Sequence, residues 1–434
     1  MVLLLGGVLV AALLTWLLPA GEYERRPLPD SSRELVVPGT WHPVEVAPVG
    51  LAQAVLAVPR GIVMGADVVV VVLFVGGAFV LLEHTGALGR LVGGLVGRTR
   101  RPRVVIVAIS LAFATLGALV NMFEEIIALV PVLLVLSRGL GFGPVTALAM
   151  SAGAAIVGAA FGPTNPFASG IANRFAELPA SAGAGVRLLV TVVAVTVWIA
   201  WTLSQLRHDV VADVSAPVTP AVAAAPRRDV VLLLLALVPF VPYLVGVLRF
   251  DWGFNELSAI YLVAAFAIGL VAGLGVRGTT VSYLRGMDAM LSAGLFVGVA
   301  RAISVVLEDG RVIDTIVHGL AMPLEHVPGL LAAGLMVPIH ALLHLPVASN
   351  SGHAALVMPI MAPLADLLGV SREVAVLAYQ TGGPPMDLVV PTNGALLAML
   401  LAARVPFPRW LRFALPGMVL VMLVGFAGMA LALL

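Results

Sequence analysis

Gly162-Pro163-Thr164-Asn165-Pro166 and Val390-Pro391-Thr392-Asn393-Gly394 each interrupt a long apolar stretch with the same tripeptide, Pro-Thr-Asn, at a spacing of 228 residues. A proline inside an apolar helix removes a backbone donor and clashes with the preceding turn, so both stretches should break there. The same spacing maps Pro131 onto Pro359 and Gly141 onto Gly369, so the block from Asn121 to Pro179 recurs as Ser349 to Arg404 and its flank. Broken apolar segments at matching places in two halves of a chain are the sequence mark of a secondary transporter's binding site.

Composition sets the solvent. Hydrophobic residues make up 61% of the chain and charged ones 11%, with a mean hydropathy of +1.09. A soluble domain carries roughly 25% charged residues, so the expectation is an all-α polytopic membrane protein embedded in lipid. Cysteine is absent and all 24 basic residues are arginine, so neither disulfides nor thiolate metal sites enter. A net charge of +1 gives no electrostatic case for a nucleic-acid partner. The apolar run at Val2–Leu18 lacks a basic leader and reads as a membrane helix.

Apolar runs of spanning length, roughly 20 residues, predict about nine transmembrane helices, at 2–18, 61–82, 146–178, 186–206, 230–248, 257–275, 288–307, 374–403 and 411–434. Those at 146–178 and 374–403 contain the two unwound breaks, at 162–166 and 390–394. Two further stretches, 104–136 and 330–368, are too long for one crossing and polar at their middles, and read as re-entrant hairpins. A second spacing, 225, relates Arg60-Gly61 to Arg285-Gly286 and Leu82-Glu83 to Leu307-Glu308. The expected architecture is two inverted repeats, 1–206 and 257–434, joined by a cytoplasmic linker and connecting helix at 207–256. Arginines such as Arg98, Arg100, Arg101 and Arg103 place the amino terminus in the cytoplasm by the positive-inside rule. The polar segment 19–48 would lie outside and has room for a short strand pair.

Backbone groups freed within hydrocarbon need protein or cavity water as partners, so the two breaks imply a polar cavity. Thr164, Asn165, Thr392 and Asn393 would line it, with half-helix amides open to a solute carboxylate and a sodium ion accommodated near Asn165 and Asn393. The first hairpin tip reads Asn121-Met122-Phe123-Glu124-Glu125 and the second Ser349-Asn350-Ser351-Gly352-His353. A carboxylate at mid-membrane costs about 2.5 to 3.5 kcal/mol on insertion scales, so Glu124 and Glu125 require a proton, a sodium ion or a cationic group on the cargo. Asp387 and Arg301 are further intramembrane charges that line the cavity or pair with each other. The substrate-binding set is therefore Asn121, Glu124, Glu125, Thr164, Asn165, Ser349, Asn350, Ser351, His353, Asp387, Thr392 and Asn393.

Pro19-Ala20-Gly21-Glu22-Tyr23-Glu24, Val37-Pro38-Gly39-Thr40, His42-Pro43-Val44-Glu45, Gly76-Gly77-Ala78-Phe79, Thr85-Gly86-Ala87-Leu88 and the run Met358 to Asp366 carry a resemblance over nearly the whole chain. The sequence resembles the YfcC family, within the DcuC-like C4-dicarboxylate carrier group of the ion transporter superfamily. That resemblance implies inverted repeats, a scaffold part and a moving part, a multi-pass place in the inner (plasma) membrane, and a homodimer. In the more distant divalent anion/sodium symporters, Ser-Asn-Thr tips and proline breaks hold carboxylate and sodium. Ser349-Asn350-Ser351 and Gly162-Pro163-Thr164-Asn165 stand at the analogous places, whereas Glu124-Glu125 departs from that pattern. Relatives are assigned to dicarboxylates and to basic amino acids.

The function expected is a secondary active transporter or exchanger of a small amino acid, basic ones included, working by alternating access. The alternative is a carrier of a C4-dicarboxylate or other small organic anion coupled to sodium or protons. An intramembrane metalloenzyme is the rival of another class: His340 and His344 are spaced i, i+4 like two metal ligands. No glutamate between them and no third ligand by spacing completes that motif, so the chain is read as no enzyme. The lysine-free sequence also contains no phosphate-binding loop for ATP.

Overall fold

A computed structural model describes residues 2–27, 34–90, 101–210, 226–250 and 252–433. The protein is all-α apart from two short antiparallel pairs in the polar segment after α1 (Val2–Leu17): β1 (Gly21–Glu22) with β4 (His42–Pro43), and β2 (Arg25–Pro27) with β3 (Glu34–Val36). The helices then run α2 (Leu51–Met64), α3 (Ala66–His84), α4 (Pro102–Val120) and α5 (Ile126–Gly139). Next come α6 (Pro144–Leu148), a π-turn at Ala149–Gly153, and α7 (Ala154–Phe161). Beyond the first break lie a second π-turn at Pro166–Gly170, α8 (Ile171–Phe175) and α9 (Ala184–Gln205). The second half holds α10 (Arg227–Leu237), α11 (Phe240–Phe250), α12 (Phe254–Val271), α13 (Gly275–Asp309), α14 (Ile313–Ala321), α15 (Gly329–His344) and α16 (Asn350–Leu367). It ends with α17 (Arg372–Gly382), the 3₁₀ turn Pro384–Leu388, α18 (Gly394–Ala402) and α19 (Phe407–Ala432).

Among the described residues, eight helices are long and apolar enough to cross a membrane. The helices are interrupted within both stretches read as hairpins, at 121–125 and 345–349, and at both Pro-Thr-Asn sites. Four boundaries differ from the sequence reading, each for a local reason. The span at 61–82 begins at Leu51 and bends at Gly65, where α2 gives way to α3. The connecting helix is two pieces, because Pro239 has no N–H to continue the ladder. The span at 288–307 is the end of a 35-residue helix, α13, which at about 1.5 Å per residue reaches about 50 Å, well beyond a hydrocarbon core of about 30 Å. The first arm of the first hairpin, α4, has 19 residues and is itself of spanning length. Most of the linker before α10, residues 211–225, lies outside the described residues, as do Arg98 and Arg100.

Backbone turns recur at the spacings read from the sequence. Gly141 and Gly369, 228 apart, both have positive φ, +88° and +69°. The amides that follow close the same turn, Phe142 N to Ser137 O at 2.9 Å and Val370 N to Ala365 O at 2.8 Å. Gly86 and Arg311, 225 apart, end α3 and α13 alike, with φ of +71° and +54° and amides on Glu83 O and Glu308 O. Glu177 and Arg404 form a third pair, at φ +57° and +54°, where Leu178 N meets Asn173 O and Val405 N meets Leu400 O.

Helix α13 packs along α2 and α3 through a seam of small residues. A Cβ on Gly61 would lie 2.6 Å from Ala302 N, and one on Gly286 would lie 2.6 Å from Gly77 O. At the 225 spacing these are one contact seen twice: Gly61 corresponds to Gly286, and Gly77 to Ala302. Gly65 against Arg301 and Met290 against Gly76 repeat the relation, while Gly294 rests on its own counterpart, Val69. Residue numbers rise on one side of this seam as they fall on the other, so α13 runs antiparallel to α2 and α3. Small residues allow such close backbone approach in lipid, where helix association relies on packing contacts.

Gly61→Ala and Gly286→Ala should therefore each lower the thermal midpoint of the purified protein, by the 1–3 kcal/mol or so typical of overpacking. Gly6→Ala, whose Cβ would meet nothing within 4 Å, should not. Equal midpoints for all three variants would contradict the packing described.

Candidate functional site

At each break a carboxamide begins the second half-helix. Asn165 Oδ1 accepts from Phe167 N and Ala168 N, both at 2.9 Å, and its Nδ2 donates to Gly117 O at 2.9 Å. Asn393 Oδ1 accepts from Leu396 N at 3.0 Å, the counterpart of the Ala168 bond, and its Nδ2 donates to Asp387 Oδ1 at 2.7 Å. Such caps satisfy amides that an interrupted helix leaves open. The sequence reading left the half-helix amides free for a solute carboxylate; at the first break the carboxamide of Asn165 occupies those of Phe167 and Ala168, whereas at the second Asn393 occupies that of Leu396 alone and Gly394 and Ala395 line the adjoining cavity. Both lone pairs of Asn165 Oδ1 are thereby engaged, which removes its best ligand atom for sodium.

Asn121 ends α4 in the left-handed region, φ +57°, a conformation asparagine tolerates better than most residues. The turn that follows carries two glutamates with different surroundings. Glu125 is buried; one oxygen accepts from Phe123 N at 3.2 Å and the other from Tyr243 Oη at 3.1 Å. Glu124 lines the cavity and has no ion pair among the described residues. At the second tip Ser349 caps α16, its Oγ accepting from Gly352 N, and Tyr379 Oη donates to Asn350 O at 2.7 Å.

These elements surround a cavity of about 610 Å³. Nine of the twelve expected residues line it: Asn121, Glu124, Glu125, Ser349, Asn350, Ser351, Asp387, Thr392 and Asn393. Thr164, Asn165 and His353 do not. Thr164 is exposed elsewhere, and Asn165 reaches the cavity only through Asn121, whose Oδ1 lies 3.3 Å from its Nδ2. His353 is fully buried behind the wall. The charged lining comprises six carboxylate residues, Asp67, Glu124, Glu125, Glu256, Glu308 and Asp387, and one arginine, Arg301. Among the described residues Arg301 has no carboxylate within 4.0 Å and Asp387 pairs with His344, so the pairing of Arg301 with Asp387 weighed from the sequence is not made.

Asp67, Glu256, Glu308 and Tyr243 were not singled out from the sequence. Asp67 is a lone acid inside an apolar run, and that alone was a signal. Glu308 stood in the repeated Leu-Glu pair without being read as a lining group. Glu256 is the third residue of α12, its carboxylate accepts from Gly253 N at 2.8 Å, and it lines the cavity as well. His340 and His344 converge on a third histidine from the next helix: His340 Nδ1 lies 3.0 Å from His353 Nε2, and His344 Nδ1 lies 3.0 Å from His353 Nδ1. These are hydrogen-bond distances, and among the described residues no group of three or more acids and histidines is arranged to hold a metal.

Broken helices around an internal polar cavity in a multi-pass helical membrane protein are the form of a membrane transporter, and its relatives show the class. The chain belongs to the DcuC family, the C4-dicarboxylate anaerobic carriers, whose profile matches residues 1–434. It is 28% identical over 415 residues to a protein of Haemophilus influenzae, covering 91% of this chain and 80% of that one. It is 27% identical over 376 residues to the putative basic amino acid antiporter YfcC of Escherichia coli, covering 80% and 73%. Among solved structures it is similar to the YdaH transporter of Alcanivorax borkumensis, with a TM-score of 0.44 and 18% identity over 99% of this chain and 97% of that one. It is also similar to MtrF of Neisseria gonorrhoeae, with a TM-score of 0.42 and 14% identity over 99% and 94%. Membership of that carrier family makes the protein a secondary transporter and not an enzyme.

The two caps can be weighed separately. Asn165→Ala should lower the thermal midpoint by the equivalent of about 0.5–2 kcal/mol, the usual cost of a lost cap. Asn165→Asp, which keeps the accepting oxygens, should recover part of that loss. An alanine variant as stable as the parent protein would show that the break does not depend on the cap.

Proposed function

We propose that the protein moves a small basic amino acid by alternating access, as an exchanger or gradient-driven carrier of the bacterial inner membrane. The observation that carries this reading is the charge of the cavity, six carboxylate residues against one arginine. Such a lining costs free energy unless cations or protons neutralise it, and a cargo bearing two cationic groups and one carboxylate complements it. Arg301, unpaired among the described residues, would take the cargo carboxylate in bidentate fashion. Glu124 and Asp387 would meet its cationic groups, while Glu125, held by Tyr243 and Phe123, keeps the tip in shape. The name of the Escherichia coli relative points to the same cargo class.

Alternating access rests on the repeats, read as 1–206 and 257–434 with 207–256 between them. Matched turns at spacings of 225, 227 and 228 and the antiparallel seam centred on Val69 and Gly294 support a two-fold axis in the membrane plane. Helices equivalent by sequence run in opposite directions across that seam, as an inverted pair requires.

A second reading has its own support. The unpaired Arg301 and the family's description suit a C4-dicarboxylate, provided the acids are first neutralised. A ligand panel separates the two. L-arginine or L-ornithine should raise the thermal midpoint, since a ligand at about 100 times its Kd stabilises the folded state by about 2.7 kcal/mol. Glu124→Gln should weaken that binding roughly ten- to hundred-fold, the loss of one charge-assisted contact. Glu125→Gln should mainly lower the midpoint without ligand. Stabilisation by succinate or fumarate alone, unchanged in Glu124→Gln, would replace the amino-acid reading with the dicarboxylate one.

A further inference from the structure

Three buried imidazoles and one carboxylate form an unbroken row behind the cavity. His340 and His344 sit one turn apart on α15, His353 enters between them from the first turns of α16, and Asp387 comes from the 3₁₀ turn before the second break. All three histidines are fully buried, and Asp387 is 5% exposed where it lines the cavity. The links are His340 Nδ1 to His353 Nε2, His353 Nδ1 to His344 Nδ1, and His344 Nε2 to Asp387 Oδ1, each 3.0 Å. Gly382-Gly383 makes room for the row: a Cβ on Gly382 would lie 2.2 Å from Val337 O and 2.8 Å from His340 Cβ, and one on Gly383 would lie 3.2 Å from His353 Cε1.

Counting protons fixes the polarity of the row. A neutral imidazole has one N–H and one bare nitrogen, so three of them supply three protons for three links. With Asp387 ionised, His344 Nε2 must donate to it, which leaves His344 Nδ1 bare to accept from His353 Nδ1. His353 Nε2 is then bare and accepts from His340 Nδ1. The remaining nitrogen, His340 Nε2, is a lone pair, and it is one of the few buried polar atoms without a partner among the described residues. Every link is satisfied and every donor points toward Asp387.

We propose that this row is a proton wire that sets the charge of Asp387 in the cargo cavity, making the proton the coupling ion. A proton that binds His340 Nε2 displaces the Nδ1 proton onto His353 Nε2. His353 passes its Nδ1 proton to His344 Nδ1, and His344 passes its Nε2 proton to Asp387 Oδ1. One proton has entered and one carboxylate has been neutralised; the three imidazoles remain neutral in the opposite tautomers. The reverse sequence releases the proton at His340. In the described conformation the Asp387 end faces the cavity and the His340 end is sealed, so proton exchange at His340 requires α15 and α17 to part. A cationic cargo and the proton would then compete for one carboxylate, which is antiport. The proposal rests on the transporter reading only for that direction of coupling.

Other charges face Asp387 and enter its titration. Arg301 and Glu308 face the same cavity from α13, Glu124 and Glu125 from the first hairpin tip, Asp67 from α3 and Glu256 from α12. Chains of carboxylates and histidines inside membranes mark proton paths, and the tautomers of the three imidazoles distinguish a wire from a contact that only holds helices together.

The test is ¹⁵N NMR of histidine-labelled protein in nanodiscs without any solute, the eight histidines being assigned by single substitutions. At about pH 9 the wire predicts Nδ1–H on His340 and His353 and Nε2–H on His344; at about pH 5 it predicts the opposite tautomer on all three, each still neutral. Tautomers that stay fixed over that range, or a second proton on any of the three, would overturn it. Asp387→Asn, which cannot take up the proton, should hold the high-pH pattern throughout. If that variant does not fold, infrared spectra serve instead: the protonated-carboxyl absorption that grows on acidification of the natural protein should be smaller by one carboxyl in His353→Gln, and equal absorption in the two would overturn the wire. L-arginine is then added as a probe. If it holds the high-pH tautomers under acid conditions, proton and cargo share Asp387; if it has no effect while the solute-free switch persists, the cargo reading fails and the wire stands.

Discussion

A helix that stops inside hydrocarbon leaves amides and carbonyls that lipid cannot satisfy, and everything distinctive about this protein follows from how it meets that demand. It does so with one carboxamide per break. Asn165 and Asn393 cap their half-helices from within, and their amide nitrogens reach outward, one to Gly117 and one to Asp387. Because the caps are internal, the breaks stay open without a solute. The polar space beside them is lined by six carboxylate residues and one arginine.

The second break and the histidine row belong to the same solution. Asp387 accepts from Asn393 and from His344 on the same oxygen, which ties the cap, the cavity wall and the buried imidazoles into one network. Such a network is costly when half satisfied in a low-dielectric interior. The first break has no such row: its capping residue leans on a backbone carbonyl and on Asn121. The two halves thus share their backbone turns and differ in their chemistry.

Much of this was legible in the residues because it rests on local rules. The Pro-Thr-Asn pair announced the breaks, since proline and a capping carboxamide act within one turn. Gly141 and Gly369 announced matched turns, since few other residues adopt positive φ freely. Nine of the twelve expected residues line the cavity, and they were legible because polar groups in apolar runs are conspicuous. What escaped notice depends on tertiary placement. Nothing local assigns Glu125 to Tyr243, 118 positions away, or shows that His353 turns into the wall while Ser351, two residues earlier, faces the cavity. The third member of the histidine row was hidden for the same reason: His340 and His344 signal each other by helical spacing, but His353 meets them only because the hairpin folds back. Helix bounds shifted where periodicity is silent, at Gly65 and Pro239 and at the start of α13, whose first turns are too polar to be counted as a span.

The central claim is that two inverted halves present their broken helices to opposite faces of the membrane. The chain has no cysteine, so single cysteines introduced at Thr164 and Thr392 can be labelled in right-side-out and inside-out vesicles with an impermeant thiol reagent. The account predicts that one position reacts from one face and its counterpart from the other. Labelling of both positions from the same face would contradict it.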